Sequence, residues 1–359
     1  MSLSIIVGTR PEIVKMAPII FELRRRKSEF ELIHTGQHHD YLMARRFIEQ
    51  LGLPSPNASF ELQAENPAAQ IGEMMVKLET VLSGAKARLL LIQGDTNTML
   101  AAALVGLKLG RKIAHVEAGL RSFDWRMPEE HNRRMVDHVS DYLFAPTELS
   151  KSNLMKEFVH GAIFVTGNTI IDSVRLFLPM AEKESQVITN VRFEKFALAT
   201  LHRAENVDDP TVLKECIRAF EKSSLPVVFP AHPRTLKRLN DFGIREETET
   251  CENIQVLPPQ GYFDFLTLMR NCQLILTDSG GIQEEATSPE ILKPVIVLRR
   301  STERPEAVEN GFAKLVSLNA SIITREINRT LSDPPSLTNP SPFGDGRASE
   351  RIVSNLYFD

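Results

Sequence analysis

A chain of 359 residues with 42% apolar side chains has the length for two domains and the material for two cores. Its 42 Lys and Arg against 46 Asp and Glu leave a net charge of -4 with both signs interspersed, which argues against a nucleic-acid surface. No apolar run reaches the ~18–20 residues of a membrane span, and no charged-then-apolar leader is present, so no membrane partner is expected. Cys216, Cys251 and Cys272 are widely spaced and form no Cys-x-x-Cys pair, which fits reduced packing residues of a cytoplasmic protein.

Residues 3–7 read as a strand that turns through Gly8-Thr9 straight into a helix, with Pro11 suited to its first position. Arg10 stands at the carboxyl end of that strand and Lys15 one helical turn further on. Ligands of open α/β sheets bind at that edge, and two cations beside a helix N-terminus suit a phosphate; a salt-bridged surface pair is the alternative. The run Arg24-Arg25-Arg26-Lys27 reads as a solvated helix end. A strand over 30–34 leads to Thr35-Gly36-Gln37-His38-His39-Asp40. With no further Cys or His at a regular spacing, this cluster favours polar loop residues touching a ligand over a zinc site, and no metal is expected.

Residues 54–67, with Pro54, Pro56 and Pro67, read as a surface loop before a helix over 69–82. A strand over 88–93 stops at Gly94-Asp95-Thr96-Asn97, ahead of a helix over 99–109. Asp95 is either its N-cap or a functional carboxylate. Glu117 follows a strand over 112–116, where neither capping nor turn formation favours Glu, so a functional role explains it better. Pro128 opens a helix with Glu129 and Glu130 in its first turn, where the helix dipole alone accounts for them. Arg10, Asp95 and Glu117 nevertheless all fall at strand carboxyl ends of one sheet. Carboxylates near two cations suit proton transfer beside a phosphate.

A strand over 141–145, a helix over 148–158 and a strand over 163–165 lead to Thr166-Gly167-Asn168, where the second domain is expected to begin. The strand over 196–200 ends in His202-Arg203, a pair suited to a diphosphate. Strands over 226–229 and 254–257 lead to Ala231-His232-Pro233 and Pro258-Pro259-Gln260, and Phe265 sits at helix spacing as half-buried core. The apolar run 272–276 precedes Thr277-Asp278-Ser279-Gly280-Gly281-Ile282-Gln283-Glu284-Glu285. A helix beginning at or just after Ser279 would offer free N–H groups to an anion, the glycines would admit it closely, and Glu284 and Glu285 would lie in or near the first turn. An ordinary capped turn is the alternative. After a strand over 293–298, the Pro-, Gly- and Ser-rich segment 333–346 reads as a linker before a last helix over 347–357. Neither Gly-x-Gly-x-x-Gly nor Gly-x-x-x-x-Gly-Lys-[Ser/Thr] occurs, which leaves dinucleotide and Walker-type ATP sites unsupported.

Gly8-Thr9-Arg10-Pro11-Glu12, Gln93-Gly94-Asp95-Thr96, His115-Val116-Glu117-Ala118-Gly119-Leu120-Arg121, Pro128-Glu129-Glu130-x-Asn132-Arg133, His202-Arg203-x-Glu205-Asn206, Asp278-Ser279-Gly280-Gly281-Ile282-Gln283-Glu284-Glu285 and Thr302-Glu303-Arg304-Pro305-Glu306 occur in that order. Together, and over almost the whole chain, they resemble the non-hydrolysing UDP-N-acetylglucosamine 2-epimerases. The resemblance implies an α/β fold of two Rossmann-like αβα domains facing across a cleft, of the glycosyltransferase-B type. These would be 1–168, with the C-terminal helix 347–359 packing back on it, and a UDP-binding domain over 169–346. It implies interconversion of UDP-N-acetylglucosamine and UDP-N-acetylmannosamine by anti elimination of UDP and re-addition, with no cofactor, in a homodimer that serves surface-polysaccharide or glycan synthesis.

Carried over by motif, Asp95, Glu117 and Glu129 are the acid/base candidates, and His202 joins them as a catalytic residue that stabilises the diphosphate with Arg10 and Lys15. Ser279, Gly280 and Gly281 would bind phosphate, Glu285 the ribose hydroxyls, and Phe265 would lie near the uracil. Arg304 would support the pocket, and Gln37, His38, Arg203, His232 and Gln260 complete the candidate binding set. The loop between Arg121 and Pro128 is about two residues shorter than in many bacterial members, which opens an alternative substrate, a 2,3-diacetamido UDP-sugar. Asp40 stands where Gln is common near the allosteric segment of the bacterial enzymes. A glycosyltransferase on the same fold and a UDP-sugar sensor are the competing readings, and only the epimerase needs Asp95, Glu117 and Glu129 together.

Overall fold

The computed structural model describes residues 3–37, 41–337 and 340–356. The chain forms two compact units, Met1–Ser173 with Phe343–Asp359, and Val174–Pro342. The first contains β1 (Leu3–Val7), α1 (Arg10–Arg25), β2 (Phe30–His34), α2 (Tyr41–Gln50), β3 (Ala58–Ser59), α3 (Pro67–Gly84), β4 (Leu89–Gln93), α4 (Asn97–Lys108), β5 (Lys112–Val116), α5 (Pro128–Val139), β6 (Tyr142–Ala145), α6 (Glu148–Lys156) and β7 (Ala162–Val165). Through α7 (Thr169–Glu184) the chain enters the second unit. There β8 (Ala197–Thr200), α8 (Ala204–Val207), α9 (Pro210–Glu221), β9 (Val227–Pro230), α10 (Pro233–Asp241), α11 (Arg245–Thr250), β10 (Ile254–Leu257), α12 (Tyr262–Asn271), β11 (Leu274–Thr277), α13 (Gly280–Glu285), β12 (Val295–Val297), α14 (Pro305–Glu309), β13 (Ala313–Leu315) and α15 (Ala320–Ser332) follow. The closing α16 (Ala348–Asn355) belongs to the first unit again.

Both units are the Rossmann-like α/β sheets that the sequence predicts. The first sheet runs β3-β2-β1-β4-β5-β6-β7 and the second β10-β9-β8-β11-β12-β13, all pairs parallel. Every residue of β1 and β4 is buried, because helices cover both faces of a parallel sheet and its central strands must be apolar on both sides. The strand order reverses between β1 and β4, and between β8 and β11. At such a reversal the two following loops diverge and leave a crevice at the carboxyl edge. Leu78, Leu90, Ile92, Met99 and Val136 fill the space between the first sheet and α3 to α5. Phe220 and Phe229 pack at 5.7 Å in the core of the second unit.

Local differences from the sequence reading have local causes. Thr9 is the N-cap of α1, so Pro11 takes the second helical position, not the first. Thr96, whose hydroxyl accepts from Met99 N, caps α4, which leaves Asp95 without that structural duty. Residues 58–59 of the expected loop add a short strand beside β2. Arg25 and Arg26 both pair with Glu22, and Arg26 also donates to Ser354 Oγ at 2.8 Å, so the basic run ties α1 to α16 as well as meeting solvent. α13 spans only Gly280–Glu285, which puts Glu284 and Glu285 just past its first turn and at its last two positions, both buried. Gly8 closes the first sheet's crevice at its floor. A Cβ there would lie 2.1 Å from Thr98 Oγ1 and 2.4 Å from Thr35 Oγ1, a spacing only glycine permits. Burial pushes the Cys216 and Cys272 thiols up to about 12, which removes their reactivity. Among the described residues no helix is long and apolar enough to cross a membrane.

Candidate active site

In the first unit Gln93 pairs with Val116, so the Gly94-Asp95 turn and Glu117 leave β4 and β5 side by side. Glu117 is buried and has φ of 70°, a left-handed backbone that costs a residue with a side chain ~1–2 kcal/mol. Two hydrogen bonds hold this turn, from Glu117 N and Ala118 N to Phe144 O, each 3.1 Å. The carboxylate Oε2 accepts from Lys15 Nζ, from Gln93 Nε2 at 3.1 Å and from Asn168 Nδ2 at 3.3 Å. The turn thus fixes a strained, buried glutamate among these donors at a strand's carboxyl end.

Asp95 is half-buried at the end of β4. Its Oδ2 accepts from Arg133 Nη2 at 2.6 Å, and its backbone carbonyl accepts from Asn132 Nδ2 at 3.0 Å. From Arg133 a chain of ion pairs runs through Glu130, Arg134, Glu157, Arg121 and Asp137 to His115. The second ring nitrogen of His115 lies 2.9 Å from the Gly94 carbonyl oxygen. The ring of charges therefore closes on the turn that carries Asp95, and it fixes that turn from both ends.

Glu129 is exposed at the second position of α5, and Arg10 is exposed with its guanidinium 5.7 Å from the Phe47 ring centre. Gln37 Oε1 accepts from the Thr98 backbone N at 2.9 Å and from its hydroxyl at 2.8 Å, which joins the loop after β2 to the first turn of α4. His38 lies outside the described residues. Lys15 and Glu117 are thus in contact, while Arg10 and Glu129 stand apart at the surface of the same unit.

In the second unit Thr200 pairs with Thr277, so the loops after β8 and β11 meet at the reversal of strand order. His202 and Arg203 come from the first loop and Ser279 from the second, with Gly280 and Gly281 opening α13 directly after it. Ser279 is the N-cap of α13 but makes no side-chain cap bond, and a Cβ on Gly281 would meet nothing within 4 Å. The start of α13 is therefore open. Gly280 faces Arg304, whose guanidinium carbon would lie 3.7 Å from a Cβ there. Arg304 Nε pairs with Glu284. Glu303 accepts from Arg203 and Arg299, and although burial opposes its charge, Arg304, Arg299 and Arg203 hold it down at about 2. The His202 and His232 rings lie 5.9 Å apart. His232 serves as N-cap of α10, Gln260 donates to Pro258 O at 2.7 Å, Phe265 is half-buried on α12 and Glu285 is buried.

Two residues without a separate role in the sequence reading stand out. Glu12, fully enclosed, accepts from Gly8 N at 2.5 Å, Thr9 N at 3.1 Å and the Thr96 hydroxyl. Burial pushes its carboxyl up to about 7 against those hydrogen bonds, with the nearby Asp95 charge adding to the rise. Its signal was legible, since Thr9-x-x-Glu12 has capping-box spacing. Asp278, also enclosed, accepts from His202 and Arg203, and no local pattern indicates that partnership.

The family described as UDP-N-acetylglucosamine 2-epimerase matches residues 22–357. A UDP-N-acetylglucosamine 2-epimerase of Methanocaldococcus jannaschii is 45% identical over 100% of this chain and 99% of its own. The crystal structure of the enzyme from that organism, in complex with UDP-GlcNAc and UDP, superposes with a TM-score of 0.91 at 44% identity and full coverage of both chains. A UDP-2,3-diacetamido-2,3-dideoxy-D-glucuronate 2-epimerase of Pseudomonas aeruginosa is 37% identical over 99% of each chain. With the family's pattern matching most of the chain and a relative 45% identical over all of it, the chain belongs to the UDP-N-acetylglucosamine 2-epimerase family.

Proposed function

We propose that this isomerase interconverts UDP-N-acetylglucosamine and UDP-N-acetylmannosamine without a cofactor, by anti elimination of UDP to 2-acetamidoglucal and re-addition. The sugar's C2–H is barely acidic until the C1–O bond stretches. The site must therefore stabilise the departing diphosphate while one carboxylate removes the C2 proton, and return a proton to the opposite face as UDP adds back. The observation that supports this reading best is the buried Glu117, held by Lys15, Gln93 and Asn168 on a strained turn next to Asp95, in a chain of this family. Asp95, Glu117 and the exposed Glu129 take the proton-transfer roles. Arg10, Lys15, His202 and Arg203 act on the diphosphate with Ser279, Gly280 and Gly281. Glu285 takes the ribose, Phe265 the uracil side, Arg304 braces α13, and Gln37, His38, His232 and Gln260 complete the binding set.

Incubation with UDP-N-acetylglucosamine alone should give a mixture containing UDP-N-acetylmannosamine. Free N-acetylmannosamine as the main product would mark a hydrolysing enzyme instead. The Pseudomonas relative and the short loop before Pro128 favour a second reading, a 2,3-diacetamido UDP-sugar. It would replace the first if only that sugar is converted.

The working form is proposed to be a cytoplasmic homodimer. Val76, Leu107 and Met135 on α3, α4 and α5 are 66%, 47% and 47% exposed, on helices that pack side by side. Burying the part of these side chains still exposed against a second copy contributes on the order of 1 kcal/mol each. Met135→Glu is expected to shift sedimentation from dimer towards monomer, and a monomeric parent protein would discard the proposal.

A further inference from the structure

His202 and Asp278 lie just past the carboxyl ends of the neighbouring strands β8 and β11, at the reversal of strand order, and the carboxylate of Asp278 is wholly enclosed. Two backbone N–H groups and an amide donate to it, and an imidazole nitrogen lies against it. Oδ1 lies 2.9 Å from His202 Nδ1, and Oδ2 accepts from His202 N at 3.0 Å, Arg203 N at 2.9 Å and Asn206 Nδ2 at 3.1 Å. Asn206 Nδ2 also donates to Leu298 O at 2.9 Å, which ties the cluster to the end of β12. Burial works against a charge at this place, yet these donors hold the Asp278 carboxyl below the usual carboxylate range. The His202 side chain keeps 35% of its surface exposed, with His232 as its ring neighbour.

We propose that Asp278 is a positioning residue for the reaction, its carboxylate holding the proton on His202 Nδ1 so that Nε2 is the ring atom presented to the departing diphosphate. The inference rests on the epimerase reading and deepens it. In water a neutral imidazole prefers its proton on Nε2, but a carboxylate against Nδ1 reverses that preference. With a second proton drawn from solvent through its exposed edge, the ring has Asp278 as its counter-charge, and Nε2–H donates to a phosphate oxygen as the C1–O bond breaks, the ring keeping that proton when UDP adds back. The same carboxylate fixes the ring's direction through the backbone N–H groups of His202 and Arg203, so the donor is in place before charge develops.

Asparagine at this position separates positioning from folding. Three donors converge on Oδ2, so the amide oxygen of Asp278→Asn is drawn there and its NH2 group faces His202 Nδ1. That contact forces Nδ1 to accept and moves the ring proton to Nε2, leaving a ring that can no longer gain a counter-charged proton. The expected result is a fall in kcat on the order of 100-fold, with KM within about threefold of the parent. Asn206→Ala removes one donor to the same carboxylate without touching the ring, and should keep kcat within about fivefold. Nitrogen-15 NMR of the parent protein should show neutral His202 protonated on Nδ1, and the Asn variant should show it protonated on Nε2. An active parent protein whose neutral His202 carries its proton on Nε2 overturns this inference alone, whether or not the variant folds. Equal losses in both variants with an unchanged His202 signal would also overturn it. A parent protein that shows the Nδ1–H signal yet converts no UDP-sugar would overturn the assigned reaction instead.

Discussion

Asp95→Asn is expected to lower turnover by ~10²–10⁴-fold, the range over which a general acid or base acts, while UDP binds within a few-fold of the parent protein. Asparagine keeps the side chain's shape and can still accept the Arg133 hydrogen bond, which now measures 2.6 Å. What it loses is the capacity to take or give a proton. The turn should survive, since Asn132 holds the Asp95 carbonyl and His115 the Gly94 carbonyl through groups the substitution does not touch. The groups proposed for UDP lie on other loops, so the loss belongs in kcat and not in the affinity for UDP. Steady-state rates together with calorimetric UDP titration check this. Near-normal turnover would remove Asp95 from the chemistry.

Glu12 gives the second large expectation, in stability rather than rate. Burial pushes its carboxyl from the ordinary 4.5 up to about 7 in the folded chain. Between those values the native state holds a proton that the unfolded chain has lost, so stability falls as pH rises across the window. The contribution is fully present below about 4.5 and is lost as pH passes through about 7. A shift of that size corresponds to on the order of 3 kcal/mol for a fully enclosed group. With its proton, Glu12 can donate to the Thr96 hydroxyl. Without it, it must draw on the Thr96 hydroxyl and the Gly8 and Thr9 N–H groups to stabilise a charge near Asp95. Glu12→Gln cannot ionise, so urea unfolding of parent and variant should diverge from pH 5 to pH 8, the parent losing ground. Parallel curves would show that Glu12 does not titrate there. The comparison with Gln isolates this effect from carboxylates such as Glu303, which contributes in the opposite sense, its stabilisation being lost only as pH falls from the ordinary carboxylate range towards about 2.

The two sheets were legible because their strands are short apolar runs bounded by turn residues, and a parallel sheet covered on both faces requires such runs. Residues 3–7, 30–34, 112–116 and 254–257 were each read at the limits the structure gives them. Helix starts were less legible where two capping residues adjoin. Asp95 and Thr96 can each cap α4, and only the backbone angles decide that Thr96 does. α13 begins just after Ser279 as read but ends after six residues, which no signal within the segment announces, so Glu284 and Glu285 close the helix.

At the candidate site, residue types at strand ends grouped Arg10, Asp95 and Glu117 at one edge of one sheet; the structure leaves Arg10 exposed and puts Lys15, a helical turn further on, in contact with Glu117. What sequence could not show are pairings across long separations. The Thr96 hydroxyl meets Glu12 from 84 positions away, and His202 meets Asp278 across 76. Such partners are set by strand order, which becomes known only when the sheet is assembled. The left-handed backbone at Glu117 was equally hidden, although an unexplained glutamate at that turn already pointed there.

As an epimerase, this chain must break and remake the C2–H bond of a UDP-sugar. Incubation with UDP-N-acetylglucosamine in D2O, with no acceptor sugar, tests it most directly, read by proton NMR and mass of the recovered nucleotide sugars. Deuterium at C2 in both UDP-N-acetylglucosamine and UDP-N-acetylmannosamine is the predicted result. Recovery of the substrate with its C2 proton intact and no UDP-N-acetylmannosamine formed would contradict it.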